Sequence, residues 1–316
     1  LKVSAIGHAH IDTGWLWPVR ETVRKTARTF ATQLKIIDEY PQYIFGASQP
    51  QHYQFMKDSY PEIYERVKLA VSKGNWECQG GMWVEADCNL ISGESMVRQL
   101  LHGKNFFKDE FDVVVDNLWL PDVFGYSAAL PQILKKSGID FFLTQKLSWS
   151  QFNEFPHQTF HWRGIDGTEI LTHFPPENTY NSELDTEFLL PAQNGFKEKD
   201  KLDEFISLFG VGDGGGGPKP ENIELGMRME NLENSPRVHF DTAKNFFHRL
   251  EKEKDSLDTW VGELYLELHR GTLTTHGLVK KQNRKLEWKL RAVEMLWSCI
   301  DISKYPAKEL DALWKK

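Results

Sequence analysis

Cysteine is scarce in this chain: three among 316 residues, Cys78, Cys88 and Cys299. Their odd number and wide spacing exclude a disulfide framework and a cysteine-built metal site. A reducing compartment, the cytoplasm, is the simplest setting. Long hydrophobic runs are also missing, so no segment reads as a membrane-spanning helix. Basic residues are outnumbered: 38 Lys and Arg against 45 Asp and Glu leave a net charge of −7. That balance argues against a nucleic-acid partner, because phosphate binding needs basic surface. No internal repeat is visible. No targeting signal is visible either, but the chain opens inside an apolar strand-like run, so this carries no weight.

Large aromatics are plentiful, with 11 Trp and 20 Phe. They suit a large core and the wall of a site. Val23, Ala27, Phe30, Leu34 and Ile37 fall at helical spacing and predict a helix over 21–40, stopped by Pro41. Helices are also expected over 61–73, closed by Gly74, and over 93–110 and 129–137. Strands are expected at 3–7, 43–47, 80–85, 113–120, 141–144 and 169–173. Strands alternating with helices predict an α/β fold, a mostly parallel, barrel-like catalytic domain over residues 1–255. Residues 177–203 read as an irregular loop. The charged run 251–258 reads as a boundary. Beyond it, 277–297 carries an apolar helical stripe and 304–314 a second helix, which predicts the start of a helical bundle over 256–316.

Five segments carry chemistry. In His8-Ala9-His10-Ile11-Asp12, alternate residues share a face just past the first strand. Two imidazoles and a carboxylate suit a borderline cation such as zinc. Trp15 and Trp17 follow at once, a platform for the apolar face of a sugar. Asp122 follows the apolar run 118–120 and faces the Gly125 turn; alone, it equally suits a helix cap. In Glu263–Thr272 acidic and apolar residues alternate like a strand that stops at His269. His269 is the best further ligand, His276 its competitor and His173 a weaker one. Gly212-Asp213-Gly214-Gly215-Gly216-Gly217-Pro218 lacks the Lys-Ser or Lys-Thr of a phosphate loop; it holds Asp213 in a tight, glycine-permitted turn. Trp83, Glu85 and Asp87 alternate on one face and could line a sugar subsite.

Together the His8–Trp15 segment, Pro121–Gly125, the Gly212–Pro218 loop and Glu263–Thr272, in this order, resemble the α-mannosidases of glycoside hydrolase family 38. The cytosolic, vacuolar and bacterial branch is the most similar. The resemblance implies one zinc ion, with cobalt as an alternative, on His10, Asp12, Asp122 and His269. It implies Asp122 as nucleophile, Asp213 as acid/base, and sugar contacts at Trp15 and Phe124, with Trp83 and Asp87 added as candidate contacts. It implies mannose-containing oligosaccharides as substrates, a cytoplasmic setting with a vacuolar or lysosome-like one as alternative, and leaves a homo-oligomer open. The family continues through a three-helix bundle into β domains, which are expected beyond Lys316. Retaining glycosidases hold two carboxyls about 5–5.5 Å apart. The rival readings are a metal-dependent carbohydrate deacetylase and a mannose-binding fragment without turnover.

Overall fold

A computed structural model describes residues 1–316. In chain order the elements are β1 (Lys2–His8), α1 (Val19–Glu39), β2 (Phe45–Ala47), α2 (Pro50–Ser59), α3 (Pro61–Lys73), β3 (Trp76–Cys78), α4 (Gly93–Phe111), β4 (Asn117–Trp119), α5 (Leu130–Lys136), β5 (Phe141–Leu143), β6 (Thr159–Arg163), β7 (Glu169–His173), α6 (Thr186–Gly195), β8 (Glu204–Phe209), α7 (Pro220–Arg228), β9 (Arg237–Phe240), α8 (Ala243–Leu250), β10 (Thr259–Val261), α9 (Gly277–Trp297) and α10 (Ala307–Trp314). No helix is long and apolar enough to cross a membrane.

The strands form two five-stranded sheets. The first runs β3-β2-β1-β8, with β9 also on β1, and all its pairs are parallel. β1 is central because all its residues after Lys2 are buried, as a parallel strand covered on both faces requires. The second runs β10-β6-β7-β5-β4; only β6 and β7 are antiparallel. Two apolar clusters fill the body, the larger reaching both sheets through Trp119, Phe141, Leu143 and Leu171. Phe30, Phe45, Tyr53, Trp76 and Phe107 belong to the larger, and Leu120, Tyr126, Phe142, Phe160 and Trp162 to the smaller.

The expected α/β alternation is present, and α3 and β7 have the expected bounds. Other expectations are corrected. Residues 80–85 are not a strand, because Gly80 and Gly81 take φ of 91° and 68° and turn the chain. The alternation at 263–268 makes only a bridge, Leu264 to Tyr126. Residues 177–203 contain α6, capped by Asp185. β10 pairs with β6, and Leu264 and Leu266 are buried in the smaller cluster. Residues 256–266 therefore pack with the α/β body rather than with the helices after it. The helix expected at 277–297 forms, but Leu278 and Leu286 of its stripe are exposed. It docks through buried Glu287, which accepts from Ser92 N (2.8 Å) and Ser95 Oγ (2.7 Å).

An ion cluster ties β1, β8, β9 and α8 together. Arg249 donates to Glu204 (2.8 Å) and to Asp241, and His239 Nε2 lies 3.3 Å from Glu204. By position Glu204, His239 and Asp241 could clasp a cation, but the Arg249 guanidinium and the His239 ring together already balance the two acids. Hydrogen bonds to Asp241 and Glu204 raise His239 from 6.5 to about 9. Burial pushes Glu204 upward, yet His239, Arg249 and Ser4 hold it at about 2. A raised histidine stabilises fully below 6.5 and loses that contribution as pH rises through about 9. A depressed acid stabilises above 4.5 and loses it as pH falls toward about 2. The cluster's contribution is therefore greatest between these limits. Urea midpoints measured against pH should fall on the alkaline side, and His239→Ala should flatten that limb and also weaken the acid-side dependence, since His239 helps hold Glu204 down.

Candidate active site

The site begins where β1 ends. His8, the last strand residue, points away into the core; its Nε2 donates to the Tyr180 carbonyl (2.8 Å), and burial lowers its pKa to about 4. Such a neutral, satisfied histidine is structural. His10 is also buried. Its Nδ1 donates to Glu85 Oε2 (2.7 Å), which turns Nε2 toward Asp12 (3.4 Å) and Asp122 (3.6 Å). Nε2 is a buried nitrogen with no hydrogen-bond partner. Burial disfavours charge on this ring, but Glu85 and Asp12 hold its pKa well above 6.5. Ser48 fixes Glu85 in turn, donating to Oε1 (2.6 Å). The loop after His10 is stapled down by Thr22, whose hydroxyl donates to the Asp12 carbonyl (3.1 Å), and by Gln49, which donates to the Ile11 carbonyl (2.9 Å).

Asp122 follows β4 on a turn built by Tyr126. The Tyr126 hydroxyl donates to the carbonyls of Leu120 (2.9 Å) and Val123 (3.0 Å). Gly125, at φ 105°, lets that turn pass close to Leu264 and Leu266. Lys146, from the turn after β5, forms an ion pair with Asp122 Oδ1.

Asp213 comes from the glycine loop after β8. The loop is clipped to α1: Gly216 N donates to Thr29 Oγ1 (2.9 Å), and Gln33 donates to the carbonyls of Gly216 (2.8 Å) and Pro218 (3.0 Å). A Cβ at Gly215 would sit 2.6 Å from that Thr29 oxygen, which is why glycine is needed for so close a passage. Asp213 itself sits at φ 56°. Its carbonyl accepts from Asp12 N (3.2 Å), and Ile11 bridges to Gly214. Tyr180 donates to Asp213 Oδ1 (2.8 Å). Burial, then Asp122 and Asp213, push the Tyr180 phenol well above its usual range.

These groups share a cavity of about 580 Å³, lined by Asp12, Trp15, Glu85, Asp87, Asp122, Phe124, Lys146, Trp149, Tyr180, Asp213 and His269, among others. Asp87 lies there with its Oδ1 accepting from Asn89 N and Leu90 N. His269 is an exposed rim residue, its ring 4.6 Å from that of Phe124; burial, then Lys146, lowers its pKa. His276 and His173 lie outside the lining, His276 exposed and His173 buried under Phe246. Trp83 is not in the lining either: it is buried, packs edge-on against Phe106 and donates to Gln51 (3.0 Å). It was expected on one face with Glu85 and Asp87, but residues 80–85 are not extended, so the alternation does not hold. Lys146 and Tyr180 belong to no motif: each is a lone residue with no spacing to read.

Residues 1–263 match the model of the glycosyl hydrolases family 38 N-terminal domain, and residues 267–316 the alpha mannosidase middle domain. The chain belongs to glycosyl hydrolase family 38. This family 38 chain is 46% identical over 317 residues to alpha-mannosidase G of Dictyostelium discoideum and 46% identical over 318 residues to alpha-mannosidase 2C1 of Homo sapiens. The alignments cover 100% and 99% of the chain but only 29% and 30% of those relatives. It spans under a third of their length. Among solved structures, an alpha-mannosidase from Enterococcus faecalis V583 superposes with a TM-score of 0.78 at 20% identity, covering 99% of this chain and 37% of that one. That likeness speaks for the fold.

The family 38 site fits a divalent cation on its own chemistry. Ligand atoms of His10, Asp12 and Asp213 lie within 4.8 Å of one another. The orphan His10 Nε2 suits a cation, which would take the place of its proton, with Glu85 on Nδ1 fixing the ring's orientation.

Proposed function

We propose that the protein containing this chain is a retaining exo-α-mannosidase that removes terminal α-linked mannose from oligosaccharides. One observation carries the reading most. Three carboxylates, Asp12, Asp122 and Asp213, surround the unpartnered His10 Nε2 in one cavity whose lining includes Trp15, Phe124 and Trp149. A cavity lined by both carboxylates and aromatic rings can meet a sugar's hydroxyls and its apolar face.

In this reading Asp122 attacks the anomeric carbon. The glycosidic C–O bond breaks, and the leaving oxygen takes the proton of Asp213. Water, losing a proton to Asp213, then attacks the same carbon, and the bond to Asp122 breaks with net retention. Tyr180, donating to Asp213 Oδ1, holds the acid/base carboxyl in place. Trp15 and Phe124 stack the ring, and Asp87 meets its hydroxyls. The ion, zinc or alternatively cobalt, would be held by His10, Asp12 and Asp122 with His269 from the rim. When bound it supplies a Lewis acid that orients vicinal sugar hydroxyls and keeps the Asp122 nucleophile ionised.

The test is product analysis with the full-length protein. An aryl α-mannoside should release mannose in the α configuration, a chelator should stop release, and added zinc should restore it. Acetate release from N-acetylated sugars without glycosidic cleavage would favour the deacetylase reading instead. Mannose binding with no turnover of either substrate would favour a binding module.

A further inference from the structure

Lys146 is almost fully buried, and its only ion-pair partner is Asp122. Its Nζ lies 3.6 Å from the centre of the Trp149 ring and 5.2 Å from that of Phe124. Its own backbone is pinned, with N donating to Thr144 Oγ1 (3.2 Å), which in turn contacts the Tyr126 hydroxyl (2.7 Å) of the Asp122 turn. A lysine has a long, flexible stem; here two rings and a buried turn leave it one position. We propose that Lys146 is a positioning residue for Asp122, holding Oδ1 so that Oδ2 is the oxygen turned to the His10 side of the cavity, and easing release of the sugar from Asp122.

The second half follows from charge. This inference rests on Asp122 being the nucleophile. As Asp122 bonds to the anomeric carbon its carboxylate charge is lost, and the ion pair with Lys146 weakens. When water attacks that carbon and the Asp122–carbon bond breaks, the electron pair returns to the carboxylate and the ion pair is restored. A fixed ammonium therefore makes Asp122 a better leaving group, at some cost to its strength as a nucleophile. It favours the second step over accumulation of the glycosyl-enzyme.

The experiment compares Lys146→Met, of similar length and uncharged, and Lys146→Arg, which keeps the charge, in the full-length enzyme on an aryl α-mannoside with a good leaving group. For Lys146→Met, kcat should fall at least about tenfold and KM should fall with it, since the intermediate accumulates. A burst of released phenol should appear in the first turnover. Lys146→Arg should recover most of kcat and lose the burst. Unchanged kcat and KM in folded Lys146→Met would overturn the proposal. So would a fall in kcat with KM unchanged and no burst, which marks a structural role. Should Lys146→Met fail to fold, Lys146→Arg decides: loss of the charge-retaining variant's activity without a burst overturns it, and near-parental kinetics support it. Asp122→Asn is run in parallel. If that variant keeps full activity, the nucleophile reading fails; if it is inactive while Lys146→Met behaves like the parent, only the present inference fails.

Discussion

Asp122→Asn should lower kcat on an aryl α-mannoside by about 10³-fold or more, a loss on the scale of removing a nucleophile. The amide is nearly the same shape as the acid, so the Tyr126-built turn, which holds residue 122 through backbone carbonyls, should not move. What changes is chemistry. An amide oxygen is a poor nucleophile, and it carries no charge for Lys146 to meet. The variant should still fold and bind mannose, but its urea midpoint should fall, because buried Lys146 is left without its only ion-pair partner. Steady-state kinetics beside a denaturation curve check both parts. Retention of even a tenth of parental turnover would remove Asp122 from the role of nucleophile.

Gly103→Ala should destabilise the chain by about 2 kcal/mol, against the usual trend for a helix interior. Alanine is favoured over glycine there by about 1 kcal/mol. At this place on α4, however, a Cβ would lie 2.2 Å from the Gly81 carbonyl oxygen and 2.7 Å from the Met82 carbonyl carbon. Both neighbours are backbone, so neither can swing aside as a side chain does, and overpacking of this kind costs about 1–3 kcal/mol or more. Either α4 or the 80–82 turn must shift. That turn leads to Glu85, the partner of His10 Nδ1. Gly103→Ala should therefore lower the urea midpoint and also loosen metal retention, measured as bound zinc after dialysis. A midpoint equal to or above the parent's would show that the close approach relaxes freely.

Local signals in the sequence were reliable where punctuation was strong. Pro61 and Gly74 bracket α3, and Gly74 adopts the φ of 82° that its position at the helix end demands. Pro41 follows the end of α1. Failures came where long-range contacts decide. Residues 80–85 alternate like a strand, but two left-handed glycines fit them under α4 instead. β8 has no period-two pattern, because a buried parallel strand needs none, while β6 and β9 do alternate polar and apolar residues but are too short to stand out. The stripe on α9 was legible as helix, while the side chain that docks it, Glu287, is acidic and no apolar period marks it. At the site, His10, Asp12, Asp122 and Asp213 announced themselves by motif. Lys146 and Tyr180 did not, since a single lysine or tyrosine has no spacing to read; only the fold shows them beside Asp122 and Asp213.

The bridge between Ile11 and Gly214, with Asp12 N on the Asp213 carbonyl, joins segments about 200 residues apart. Neither segment can present its carboxylate correctly until β8 has aligned beside β1. Closing so long a loop is an entropic toll collected before any native contact repays it, which makes this a late event in folding. Cation uptake thus reports on completed assembly rather than on early collapse: a chain caught before that closure would hold its helices yet have no place for the ion.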